Sequence, residues 1–223
     1  MIVAEPNPKK LLFEQLSRLG KALSSSSRLE LLEFVAQGEK GVEALAQVSG
    51  MSSANTSQHL QHLRNSGLIK ARKSGQNVFY SLTDDKVVEL LGLIRKIAES
   101  NLAEVNMLIH TYLKQKDALE PITAEELLKR TKDGMTTVID VRPSDEYSSG
   151  HVAGAINVPV KQLKSFMKKL DPGKEIVAYC RGAYCLMSFE AVEKLRKKGF
   201  KAMRLENGFP EWKKAGHPVE TKN

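Results

Sequence analysis

The chain has 223 residues, a formal net charge of +8 and a pI near 9.4. That length suits two small domains better than one, and no apolar run is long enough to span a bilayer. The opening MIVAEPNPKK lacks the charged-then-apolar pattern of a secretory signal, so a cytoplasmic location without membrane attachment is expected. The basic balance favours anionic partners such as nucleic acid. It does not place them, because residues 1–116 hold 15 Lys/Arg against 11 Asp/Glu and residues 117–223 hold 19 against 15, so each half carries +4.

In chain order, KKLLFEQLSRLGKAL (9–23) repeats apolar residues at helical spacing through Leu12, Leu16, Leu19 and Leu23. The serines at 24–27 interrupt it and offer an N-cap for a second helix, RLELLEFVAQ, which ends at Gly38. GVEALAQVSG is a short helix closed by Gly50, and MSSANTSQHLQHLRNSG is a fourth, capped by Ser52 or Ser53 and stopped by Gly67. A short helix, a tight glycine turn and a polar helix have helix-turn-helix spacing. LIKARK and NVFYSL, around the turn SGQ, then read as a hairpin, or wing. The assembly expected is an α+β winged helix-turn-helix.

On a helical wheel the fourth helix turns Thr56, Leu60 and Leu63 inward. Ala54, Ser57, Gln58, Gln61 and Asn65 face outward, with Asn55 on the flank. Short amides and hydroxyls on an exposed face can hydrogen-bond base edges in the major groove, whereas a face built for solubility carries Lys and Glu. Ser53, Asn55, Ser57, Gln58 and Gln61 are the candidate DNA-reading residues. Arg64, together with Arg72, Lys73 and Gln76 of the wing, are candidate phosphate contacts.

The stretch LGKALSSSSRLELLEFVAQGEKGVEALAQVSGMSSANTSQHLQHLRNSGLIKARKSGQNVFYSL closely resembles the ArsR/SmtB family of bacterial repressors. The resemblance covers about residues 10–112. It implies a homodimer that binds an inverted repeat near its own promoter and releases it on sensing an inducer. Independently, residues 84–113 carry an apolar stripe from Val87 to Tyr112, which predicts one long helix needing a partner along its length. Self-pairing in a homodimer is the simple solution, and cover by the chain's own second half is the alternative. Family members that bind metalloids carry a cysteine pair where this chain reads EKGVEALA, and the last helix has His110 but no His-x-x-His. No metal site and no cofactor are expected; metal sensing through the last helix or the Cys180/Cys185 pair ranks last among the readings, because two thiolates alone rarely complete a four-ligand site.

Residues 114–122, KQKDALEPI, read as a linker between a domain at 1–113 and another at 123–223. TAEELLKR opens the second domain with a capping pattern, Thr123 to Glu126. The β-prone runs TTVIDV, EIVAYC and KAMRLE alternate with the helical SFEAVEKLRKKGF and FPEWKKAG, which predicts an α/β domain with a mainly parallel sheet. Ligands of such sheets gather at strand C-termini. Cys180 stands at one, in the loop YCRGAYC, which also holds Cys185. A strand–loop–helix turn aims amides and a positive helix end at its centre, which favours a thiolate. Arg181 adds charge and Gly182 permits close backbone approach. A thiolate there can take sulfur from a donor and hold it as a persulfide. Two buried packing thiols are the other reading, disfavoured by Gly182 and Arg181 beside Cys180.

VIDVRPSDEYSSGHVAGAINVP, IVAYCRGAYC and GFKAMRLENGFPEWKKAGHPV resemble the rhodanese sulfurtransferases over nearly all of residues 120–220. The resemblance implies Cys180 as sulfur-accepting nucleophile and residues 181–185, with Gly182, Ala183 and Tyr184 at their centre, as its cradle. Arg142 is expected to be structural, pairing with Asp140, Asp145 or Glu146. Many rhodaneses carry Arg or another polar residue where this loop has Cys185. Two roles for Cys185 stay open: attack on a Cys180 persulfide to leave a disulfide, or packing. A cysteine phosphatase or arsenate reductase is disfavoured, because Leu186 stands where the clamping Arg of that chemistry belongs. Joined, the halves predict a DNA-binding regulator whose second domain senses a sulfur donor or an oxidant through Cys180. The alternative is a sulfurtransferase whose DNA-binding half controls its own expression.

Overall fold

The computed structural model describes residues 7–114 and 121–222, which divide after Val87 into two compact units. In the first unit, helix α1 (Pro8–Leu23) starts where the Asn7 side chain accepts from the Lys9 amide, with Pro8 supplying a helix-ready φ. Helix α2 (Ser26–Val35), strand β1 (Lys40–Gly41), helix α3 (Val42–Ser49) and helix α4 (Ser53–Asn65) follow. Gly50 closes α3 with φ +70°, a left-handed turn that any side chain would strain. Of the two candidate caps for α4, Ser52 is the one used, its hydroxyl accepting from the Asn55 amide. The hairpin of β2 (Ile69–Ser74) and β3 (Asn77–Leu82) has the register Ala71 opposite Tyr80 and Ser74 opposite Asn77.

Strand β1 pairs with β3 and gives the three-stranded order β1-β3-β2. The sequence hides it, since two residues are too few to show alternation. Leu31, Leu32, Leu45, Leu60 and Leu63 are fully buried, so each truncation to alanine costs about 2–5 kcal/mol.

Helix α5 (Lys86–Asn101) starts on an Asp84 side chain that accepts from the Lys86 amide, and from Val88 onward it belongs to the second unit. The single helix expected over 84–113 is interrupted. Leu102 is extended (φ −111°, ψ 107°), helix α6 (Ala103–Leu108) restarts, and a π-helical turn covers Ile109–Lys114. Two asparagines explain the break. The Asn101 amide donates to the Ile97 carbonyl at 2.8 Å, and that of Asn106 reaches back across Leu102 to the Glu99 carbonyl at 2.6 Å. Side-chain amides of this kind compete with the helix for its backbone groups.

The rest of the second unit is α7 (Ala124–Lys132), β4 (Thr136–Asp140), α8 (Ser144–Ser149), β5 (His151–Val152), β6 (Ile156–Asn157), α9 (Leu163–Phe166), β7 (Glu175–Tyr179), α10 (Leu186–Arg196), β8 (Ala202–Arg204), α11 (Phe209–Lys214) and β9 (Val219–Glu220). Its main sheet is parallel in the order β6-β4-β7-β8, and β5 pairs with β9 antiparallel. Residues 115–120 of the expected linker lie outside the described residues. Its last residue, Ile122, is already part of the domain, because it is buried and bridged in parallel to Leu205. Alternation along β7 sorts the core into two faces. Ile176, Ala178 and Cys180 pack with Ala191, Val192 and Leu195 of α10, while Val177 and Tyr179 pack with Phe209 and Trp212 on the other face.

Candidate functional site

The outer face of α4 is as the helical wheel requires. Thr56, Leu60 and Leu63 are buried, Ser53, Ala54, Asn55, Gln58, Gln61, Arg64 and Asn65 are exposed, and Ser57 is half-buried. The Thr56 hydroxyl bonds back to the Ser52 carbonyl, so its polar group is satisfied inside the turn. On the wing, Lys73 and Gln76 are exposed. Arg72 is exposed too, but Glu39 holds its guanidinium through a two-pronged contact, and Phe79 lies under it at 5.3 Å. The Arg72 hydrogen bonds keep the Glu39 carboxylate below the usual range.

The second constellation gathers at the C-terminal edge of the parallel sheet. Asp140, Arg142 and Tyr179 form a buried network. Both side chains of the Asp140–Arg142 pair are fully enclosed, and Asp140 is one of the partners expected for Arg142. Arg142 donates to Asp140 from its backbone amide (2.9 Å) and from Nε (3.0 Å), and to the Gly150 carbonyl from Nη2 (2.7 Å). The Tyr179 hydroxyl donates to Asp140 at 2.6 Å and accepts from the Val152 amide. Burial works against the charge on Arg142, but the Asp140 carboxylate outweighs it and raises the guanidinium pKa. Burial, reinforced by Asp140, also raises the Tyr179 phenol far above the ordinary tyrosine range. Arg142 keeps its charge and Tyr179 its proton at neutral pH, and the network fixes the ends of β4 and β7.

Cys180 follows β7 directly. It is 2 % exposed and Cys185 is 9 % exposed, and both belong to the core packed under α10. The expectation that Arg181 and Gly182 keep this loop out of a dry core is thus corrected. Cys180 continues the inward set Ile176–Ala178–Cys180, so alternation carries its sulfur beneath the helix. Arg181 does not offset this, because its guanidinium pairs with the buried Glu146 carboxylate at 2.7 Å. Cys180 and Cys185 are joined by a disulfide with Cα atoms 6.1 Å apart, inside the ordinary window of about 4.4–6.8 Å. Cys185 also caps α10, its carbonyl accepting from the Ser188 hydroxyl at 2.9 Å. Between the cysteines, Gly182 accepts from the Cys185 amide, Ala183 is half-buried, and Tyr184 is 39 % exposed at the loop tip.

Sequence reasoning missed the residue that seats this loop, Gly208. A Cβ placed there would lie 2.2 Å from the Arg181 carbonyl carbon and 2.4 Å from the Gly182 nitrogen, so only glycine fits. Its neighbour Phe209 donates its amide to the Cys180 carbonyl at 3.0 Å. The available signal was Gly208 ahead of Phe-Pro in ENGFPEW, and nothing local showed what the glycine faces. Glu146, one of the partners expected for Arg142, also pairs with Arg181. Among the described residues no cluster of three or more His, Cys, Asp or Glu side chains gathers, and no helix is long and apolar enough to cross a membrane.

A winged helix-turn-helix with an exposed polar recognition helix, followed by a parallel-sheet domain with a cysteine loop at its strand ends, defines a two-domain DNA-binding regulator. Comparison with known proteins agrees. Residues 25–71 match the family described as bacterial regulatory protein, arsR family, and residues 123–215 match the rhodanese-like domain. The HTH-type transcriptional regulator Rv0324 of Mycobacterium tuberculosis is 39% identical over 219 residues, covering 98% of this chain and 96% of that protein. The thiosulfate sulfurtransferase GlpE of Coxiella burnetii is 31% identical over 103 residues, covering 46% of this chain and 91% of that one. A solution structure of a homodimeric winged helix-turn-helix domain (fragment 1-100) from Mycobacterium bovis is 35% identical with a TM-score of 0.42, covering 46% of this chain and 95% of that one. The chain belongs to the ArsR-family transcriptional regulators that carry a C-terminal rhodanese domain.

Proposed function

We propose that this regulator is a homodimeric repressor of an inverted-repeat operator, and that sulfur or oxidant chemistry at Cys180 changes its hold on DNA. Ser53, Asn55, Ser57, Gln58 and Gln61 read bases, while Arg64, Lys73, Gln76 and a released Arg72 contact phosphates. Exposed apolar side chains support the dimer. Leu11, Leu12, Phe13 and Leu16 of α1, and Leu93 and Ile97 of α5, are each at least 45 % exposed in the single chain, and unpartnered stripes of this kind call for a second copy.

The observation that carries the sensing role is the Cys180–Cys185 pair in bonding contact within a strand-end loop. Two chemistries reach that state. A peroxide can take two electrons and two protons from the dithiol, leaving the disulfide and its own reduced product. Alternatively, the Cys180 thiolate attacks the outer sulfur of a sulfane donor such as thiosulfate, releasing sulfite and forming a Cys180 persulfide. The Cys185 thiolate then attacks the inner sulfur of the persulfide, forming the disulfide and releasing sulfide. Cys185 is thereby a resolving residue as well as a packed one. A persulfide at Cys180 would be sheltered by the loop of Gly182, Ala183 and Tyr184.

The test is the affinity of the full-length protein for a duplex taken from upstream of its own coding sequence, with and without a persulfide donor, for wild type and Cys180→Ser. A several-fold change in wild type that Cys180→Ser abolishes supports the reading, and equal responses of the two proteins reject it. A second reading, sulfurtransferase turnover, draws on the similarity of this domain to a thiosulfate sulfurtransferase. Steady production of sulfite from thiosulfate at enzyme-like rates favours it. A single turnover that stops at the disulfide favours the sensor.

A further inference from the structure

We infer that Tyr184, at the tip of the cysteine loop, is a latch on helix α5 through which that helix reads the bonding state of Cys180 and Cys185. The inference rests on the sensing role proposed above and names the contact that would transmit it.

Tyr184 is the residue before Cys185, inside the ring that the disulfide closes. Its hydroxyl donates to the Glu99 carboxylate of α5, and Arg95 of the same helix lies over its ring at 5.7 Å. A second tie runs through the loop's seat. Arg95 pairs with Glu211 at 2.8 Å with both side chains largely buried. Glu211 in turn accepts from the amide of Gly208, the glycine against which the Arg181–Gly182 backbone packs. One helix thus holds the loop at its tip and, through Glu211 and Gly208, at its base. Lys214 of α11 adds a third tie to Glu89 at 3.2 Å.

These side chains reach across a cavity of about 920 Å³ whose walls include Gly92, Arg95 and Glu99 of α5 and Ala183, Tyr184 and Phe189 beside the cysteines. The loop tip therefore has room to move once its ring opens. With the disulfide closed, four residues are confined between two linked Cα positions, and Tyr184 is presented to Glu99. With two thiols, or with an added sulfur on Cys180, that confinement is gone and the same four residues adopt other conformations. Tyr184 and the Gly208 seat link the loop to α5. This helix follows the wing after three residues, Thr83–Asp85, and bears the exposed Leu93 and Ile97. A contact that exists in one loop state and not the other is what a coupling free energy requires.

The experiment compares wild type, Tyr184→Phe and Glu99→Ala, each full-length and each prepared in thiol and disulfide forms verified by mass spectrometry. Hydrogen exchange of peptides covering residues 88–101 is measured in both forms, and affinity for the upstream duplex in parallel. The expected result is exchange in α5 at least about fivefold slower in the disulfide form of wild type, with the difference lost in both variants although their disulfides still form. Equal α5 exchange in the two forms of wild type overturns the latch, as does a difference that both variants retain. If wild-type exchange differs and the variants lose the difference while DNA affinity is the same in every form, the latch stands and the sensing role fails. If DNA affinity differs between the thiol and disulfide forms, and by the same factor in wild type and Tyr184→Phe, the sensing role stands and the latch fails.

Discussion

The recognition helix and the cysteine loop are both short polar segments next to a buried core, yet they differ in what surrounds them. Helix α4 turns its candidate DNA-reading side chains to solvent, and its geometry follows from its own cap, its period and three inward residues. The loop is the opposite case. Both sulfurs are buried, Arg181 is held by Glu146, the backbone sits on Gly208, and the ends of β4 and β7 are fixed by Asp140, Arg142 and Tyr179. A surface that reads a partner needs only correct presentation. A loop proposed to do chemistry on sulfur has its surroundings built from distant parts of the chain. Substitutions should therefore affect function without stability in α4, and both together around the loop.

The largest effect separating the two is expected for Asp140→Ala. It leaves the buried Arg142 charge without its carboxylate, and removing one partner of such a pair costs about 3–5 kcal/mol. Urea denaturation checks this, and a loss below about 1 kcal/mol would contradict the network described. Gly208→Ala comes next. Its methyl meets backbone rather than a flexible side chain, so about 1–3 kcal/mol is expected from overpacking. Disulfide formation between Cys180 and Cys185, followed by mass spectrometry under peroxide, should slow as well.

Gln58→Ala and Gln61→Ala should shift stability by no more than about 0.5 kcal/mol. Each should still weaken binding to the preferred operator by about 1–3 kcal/mol where the amide reads a base. Fluorescence anisotropy against operator and scrambled duplexes distinguishes this from a general loss of charge. The smallest effect concerns pH. Burial first, and the Glu99 hydrogen bond second, raise the Tyr184 phenol above its ordinary value. A raised value means the folded state keeps the proton. The contribution of this contact is intact below about pH 10, the ordinary tyrosine value, and is lost as pH rises beyond it. Ultraviolet titration should show one late-ionising tyrosine fewer in Tyr184→Phe.

The contrast also explains what was legible in the sequence. The four helices, the Gly50 turn, the wing and the inward set of α4 were readable because each is decided within a few residues. So were the parallel sheet and the position of Cys180 at a strand end. The burial of Cys180 follows from extending the Ile176–Ala178 alternation two residues further, against the pull of Arg181 and Gly182 toward an exposed loop. Arg181 meets Glu146 only once the fold has formed, across 35 positions. Gly208 meets the loop across 27 or so positions, and Tyr184 meets Glu99 across 85. No local pattern encodes such encounters. The break at Leu102 was hidden for a different reason. The apolar stripe runs through it, while the cause lies in Asn101 and Asn106, which ordinary propensities treat as mild.

The central claim is that the state of two sulfur atoms and the grip on DNA are thermodynamically linked. Linkage is reciprocal, so operator DNA must shift the dithiol–disulfide equilibrium by the same factor by which that equilibrium shifts DNA affinity. The direct measurement is a redox titration of the Cys180–Cys185 pair in the full-length protein, alone and with saturating operator duplex, read by mass spectrometry of the trapped thiols. A tenfold effect per loop moves the two-electron midpoint by about 30 mV, and a shift of that order, absent with scrambled duplex, is predicted. Coincident midpoints with and without operator would contradict the account.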